Sequence, residues 1–121
     1  MMEIKTEMVN DIVVLNPVGN LVASSVELLK SQVEKLIEKK FNFLLLDMSR
    51  IDFMDSSGLS SIIAANKLIT ADSGVLACAA LQEGVRKVFR VTRADQRIAV
   101  AETRSEGLLL IQARIIQGNG R

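Results

Sequence analysis

Two short apolar runs constrain this chain more than any other feature. They are Phe41 to Leu46, which leads into Asp47, and Gly74-Val75-Leu76-Ala77-Cys78-Ala79-Ala80. Neither shows the in-out alternation of a strand with one wet face. A strand that is apolar at successive positions is buried on both sides, which is the condition of a central parallel strand covered by helices. A segment of helical period precedes each run. Val26, Leu29, Val33, Leu36 and Ile37 share one face of a segment that Ser24 or Ser25 can cap and that runs to about Lys40. Its charged residues Glu27, Lys30, Glu34, Lys35 and Glu38 fall mostly elsewhere, as on a solvated face. Leu59, Ile62, Ile63 and Ile69 mark a second helix from Ser56 to about Ala71. Helices alternating with buried strands predict an α/β domain with a mostly parallel sheet.

The rest of the chain extends this pattern. Residues 2–8, a turn at Val9-Asn10-Asp11 and the run Ile12 to Leu15 predict an N-terminal hairpin. Pro17, the only proline, cannot donate to a ladder and is expected at a strand end or edge. Residues 82–91 predict a short helix with Val85, Val88 and Phe89 inward, and Ile98 to Ala101 a further strand. Thr103-Arg104-Ser105-Glu106 reads as a capping box that opens a last helix through Leu109 and Ile116, ended by Gly118 and Gly120. The expected order is ββαβαβαβα, with about four helices in one domain over residues 1–121 and a tail that frays from about residue 117.

Composition narrows the chemistry. The 121 residues are enough for one real core, and 49% apolar with 24% charged residues is an ordinary globular balance. A net charge of +1 supplies no strong field for nucleic acid, and four Phe with no Trp or Tyr supply little for stacking on bases. No His is present, so a Ser-His-Asp triad is impossible, and with a single Cys the usual zinc sites are too. No metal or other cofactor is expected. Cys78 has no partner for a disulfide, and no stretch approaches the ~20 apolar residues of a membrane span. The N-terminus is not a secretory signal, and the expected location is the cytoplasm.

One stretch carries chemistry: Leu46-Asp47-Met48-Ser49-Arg50-Ile51-Asp52-Phe53-Met54-Asp55-Ser56-Ser57-Gly58-Leu59. A buried strand ends at Asp47, and a short loop is expected to bring two serines and a glycine to a helix start. Groups beyond the carboxyl ends of parallel strands are where such sheets place their sites. The first turn of a helix has unpaired N–H groups and tolerates an anion, so phosphate on Ser56 would leave the fold intact. A partner resting on that surface would instead meet about −1.5 to −2 units of new charge. Capping alone also accounts for Asp55 and the serines, and helix–sheet packing for Gly58.

Phe53-Met54-Asp55-Ser56-Ser57-Gly58-Leu59, preceded by Leu44-Leu45-Leu46-Asp47, resembles the signature of the STAS-domain anti-sigma factor antagonists. The similarity extends to the hairpin, to Gly19 before a helix, to Gly74 before a strand and to Val88-Phe89 in a short helix. The resemblance implies a binding protein and not an enzyme. Its unmodified form would bind an anti-sigma factor that is also a serine kinase of ATPase fold, releasing that protein's target. Phosphorylation of Ser56 would end the binding, and a PPM-type phosphatase would reset it. By the same resemblance, Asp55 shapes the loop and Ser57 and Gly58 lie in the kinase-facing turn. Ser60, Asn20 and Met54 complete the expected partner face, with Met54 exposed there. The chain departs from the family pattern at Ser60, where a second glycine is usual, and at Asn20-Leu21-Val22, where acidic residues often follow the early glycine. It departs again at Thr92-Arg93-Ala94-Asp95, where a Gly-containing turn is usual.

Three rivals deserve comparison. A receiver domain would use Asp47 as phosphoacceptor, but it needs paired carboxylates at the end of the first strand, and Asn16-Pro17 stands there. An enzyme would use Asp47, Asp52 and Asp55 as an acid cluster. A STAS-fold scaffold or lipid-transport accessory subunit would keep the fold without phospho-switching. Arg86, Lys87, Arg90 and Arg93 read as a solvated basic face.

Overall fold

The computed structural model describes residues 2–119. Strands β1 (Glu3–Val9) and β2 (Ile12–Leu21) form the antiparallel hairpin, turning at Asn10, which has a left-handed φ of 56°. Helix α1 (Val26–Glu38), strand β3 (Phe43–Asp47), strand β4 (Ile51–Met54) and helix α2 (Ser56–Ala71) come next. Then come β5 (Val75–Ala79), α3 (Glu83–Val91), a 3-10 turn (Ala94–Gln96), β6 (Ala99–Ala101) and α4 (Arg104–Asn119). The sheet order is β1-β2-β3-β5-β6, parallel from β2 onward. The α/β class, the hairpin and the four helices are as expected.

The apolar runs behave as strands buried on both faces. Leu44, Leu46, Leu76 and Cys78 face α1, α2 and α3, while Leu45, Ala77 and Ala79 face α4. The larger core joins Val13, Leu15, Leu29, Val33, Ile62, Ile69, Val85 and Phe89. The smaller one closes under Ile111 and Ile115 of α4. Alanine at 77 and 79 leaves room for α4 to approach, and a Cβ on Gly107 would lie 2.7 Å from Leu45.

Four local expectations are corrected. Residues 51–54 are not loop but the strand β4, which pairs in parallel with residues 19–21 of β2. Pro17 sits inside β2, paired with Ile4, so it is not at a strand end, though one side of β2 is open there. That position lies between the residues of β2 that meet β3 (13–15) and those that meet β4 (19–21), a stretch without a parallel partner. Ser25 precedes α1 but makes no cap bond; its hydroxyl donates to the Asn20 carbonyl (2.7 Å) and accepts from the Val22 N–H (3.0 Å). Gly118 does not end α4, which runs to Asn119; Gly120 lies outside the described residues. The Thr103 hydroxyl does cap α4, accepting from the Glu106 N–H at 3.1 Å. No helix among the described residues is long and apolar enough to cross a membrane.

Candidate functional site

Strand β2 is long enough to serve two neighbours. Past Leu15 it leaves β3, and a register shift between Gly19 (φ 126°) and Asn20 turns it onto β4. Such a bulge bends a strand and re-aims the residues beyond it. Asn20 then lies beside Phe53 and Leu21 beside Met54, and both strands deliver their ends to one edge of the sheet. There β4 runs directly into α2 through Asp55.

Asp55 holds that junction together. Its backbone is extended, and its Oδ1 accepts from the Gly58 N–H at 2.9 Å, an N-cap of the helix start. Its Oδ2 accepts from the Ala23 N–H at 3.4 Å, and its own N–H donates to the Leu21 carbonyl at 3.3 Å. One residue thus fastens α2 to the β2–α1 loop. Gly58 makes the approach possible, since a Cβ there would sit 2.2 Å from the Leu21 carbonyl oxygen.

The expected site residues therefore gather at one end of the sheet. Ser56 is the first residue of α2 and is exposed, as are Ser60 and Asn20. Ser57 is half-buried and Gly58 is buried. Met54 is a correction: only 3% of it is exposed, because it packs into the larger core with Leu21 and Leu59. Its neighbour Phe53, 57% exposed, is the apolar side chain open beside Asn20. Both ends of this four-residue strand, Ile51 and Met54, are buried and Asp52 and Phe53 between them are exposed, which a stretch read as loop could not reveal.

Asp47, Asp52 and Asp55 do not form a cluster. Asp52 accepts from the Gln82 side chain at 3.2 Å. Asp47 takes the Ser49 N–H on one oxygen (3.0 Å) and Arg104 on the other (3.3 Å). Arg104 also donates to Asn16 (3.0 Å) and to Glu7, so one guanidinium ties β1, β2 and β3 to the start of α4. The Arg104 hydrogen bond holds the Glu7 carboxyl below its ordinary range. Burial works to raise Asp47, but hydrogen bonds from Ser49 and the Arg104 charge outweigh it and leave that carboxyl lowered. Nothing in the sequence marks this knot, whose members lie up to 97 residues apart. Among the described residues, no three His, Cys, Asp or Glu side chains are arranged to hold a metal ion.

The model of the STAS domain matches residues 3–107. This chain belongs to the STAS domain family. It is 29% identical to a Thermotoga neapolitana protein provisionally named an anti-sigma factor antagonist, over 89% of this chain and 96% of that one. A crystal structure of a similarly named Thermotoga maritima protein superposes with a TM-score of 0.85 at 26% identity, covering 90% of this chain and 94% of that one. The Bacillus cell fate determinant SpoIIAA in its phosphorylated form shares the fold, with a TM-score of 0.69 at 23% identity over 88% of this STAS chain and 96% of SpoIIAA.

Proposed function

We propose that this STAS domain is a phosphorylation-gated binding switch of the cytoplasm. Its unmodified form binds an anti-sigma factor that is also a serine kinase of ATPase fold and so releases that protein's target. Phosphate on Ser56 abolishes the binding, and a PPM-type phosphatase removes it. The observation that carries this reading is the position of Ser56: exposed, first in α2, and braced by Asp55 against the exposed Asn20 end of the β2–α1 loop. An anion is tolerated there by the helix start, whereas a partner covering both segments would meet it directly. Relatives named as antagonists, and a fold neighbour described in a phosphorylated form, support the same reading.

The energetics are of the right size. Turning a 99:1 bound population into 1:99 takes about 5.5 kcal/mol of differential affinity. A phosphate that meets like charge and loses hydrogen bonds in a desolvated interface supplies roughly 2–5 kcal/mol of that. Ser56→Ala is expected to keep partner binding and lose regulation, and Ser56→Asp to weaken binding with less than the full effect of phosphate. The test is co-purification with mass spectrometry, then incubation with the recovered kinase and ATP. Phosphate on Ser57 alone would sink the assignment. A phospho-Ser56 protein that binds as tightly as before would sink the switch, and recovery of a membrane transporter in place of a kinase would favour the accessory-subunit role.

A further inference from the structure

Helix α4 differs from α1 on the side it shows to water. The exposed residues of α1 include Glu27, Lys30, Glu34, Lys35 and Glu38. Helix α4 buries Gly107, Ile111 and Ile115 against the sheet and leaves Leu109 70% exposed and Ile116 60% exposed, with Ala113 exposed between them. Residues 109, 113 and 116 are spaced by four and three, so they lie in one row along the helix, the spacing of a seam that receives a second helix. Beside this row runs an apolar groove floored by Ile12 and walled by Val9, Leu108 and Gln112, with no charged residue in its lining. A helix apolar on both its inner and outer faces is normally covered on both.

We infer that the outer face of α4 is a self-association surface, on which a second copy of this chain packs its own α4 antiparallel to the first. The pattern is its own complement. A two-fold axis between Gln112 and Ala113 sets Leu109 of one copy against Ile116 of the other, and Ile116 against Leu109. Small Ala113 lets the helices close in at the crossing. The charge pattern selects the direction. Glu106, exposed on the same side, would face its own counterpart in a parallel pair, while an antiparallel pair sends the two to opposite ends. The size of the contact selects the strength. Helix α4 has 16 residues, about 24 Å. One helix seam of that length falls at or below the ~1,200 Å² low end of specific interfaces, so the dimer is reversible and not obligate. Since α1, α2 and α3 lie on the other face of the sheet, both Ser56 surfaces stay open in the pair.

Sedimentation velocity on this chain over micromolar to near-millimolar concentrations tests the inference. The mass is expected to climb from 13.2 kDa toward twice that value. The Leu109→Glu/Ile116→Glu double variant is expected to stay monomeric with an unchanged melting curve, as both side chains project outward. A cysteine scan provides a check that needs no loss of stability. Ala113→Cys, beside the two-fold axis, should form an intermolecular disulfide on mild oxidation, and Ser105→Cys, far from it, should not. Native Cys78 is fully buried and stays silent in this assay. A mass fixed at 13.2 kDa at every concentration overturns the inference. So does a Glu double variant that dimerises like the parent, or cross-linking at residue 105 as fast as at residue 113.

Discussion

Gly58 has almost no freedom to change. Any Cβ there would press within 2.2 Å of the Leu21 carbonyl oxygen and 2.7 Å of the Met54 side chain. Backbone cannot yield as a flexible side-chain end can, so Gly58→Ala must push α2 away from the β2–α1 loop. The expected loss is about 1–3 kcal/mol, read as a lower urea midpoint at unchanged slope, with weaker partner binding because the two halves of the proposed face separate. Cys78 makes a contrasting case. Burial raises its thiol to about 12, so it should not react with a thiol reagent in the native state and should react fully once urea unfolds the chain. Fast native-state labelling would contradict the burial. At this scale the motif was legible in sequence, because Asp55, Ser56 and Gly58 are adjacent and their roles in capping and close packing derive from residue type. Phe53 was not legible, since its exposure depends on which way β4 faces.

At the scale of elements, helical period and apolar runs gave away nearly every helix and strand that packs on the core. The exception is β4, whose four residues include Asp52 and which exists because the far end of β2 needs a partner after leaving β3. Long-range pairing of that kind leaves no local pattern. The knot at Arg104 is equally silent in sequence, yet it fixes how α4 sits on the hairpin. Removing it by Arg104→Ala is expected to cost about 1 kcal/mol at neutral pH, a modest value because the cluster is partly hydrated. The pH dependence has a definite sign. Glu7 and Asp47 are both lowered in the folded protein, so their contribution is fully present above the ordinary carboxylate value of about 4 and fades as pH falls through the lower folded values. The gap in melting temperature between the parent and Arg104→Ala should therefore be constant from pH 7 to about 5 and shrink below pH 4. A gap that widens in acid would show that the two carboxylates do not draw their charge stabilisation from Arg104.

For the whole molecule, the sheet separates two cores of unequal size but common strands. Leu44 and Leu46 point into one and Leu45 into the other, so neither side can melt without disturbing β3. This coupling predicts one transition and not two. Ile62, in the core under α1–α3, and Ile111, in the core under α4, are both fully buried. Each Ile→Ala change is expected to cost about 2–5 kcal/mol. Both should shift the same cooperative curve, with far-UV circular dichroism and amide exchange in β3 losing structure together. No disulfide is available to staple the chain, and no three described His, Cys, Asp or Glu side chains are arranged to hold a metal ion, so EDTA and reductant should leave the melting temperature where it was. If Ile111→Ala released α4 in a separate early transition while β3 stayed protected, the smaller core would be an appendage and not half of the fold. The α4 surface would then lack the rigid backing that a self-association seam requires.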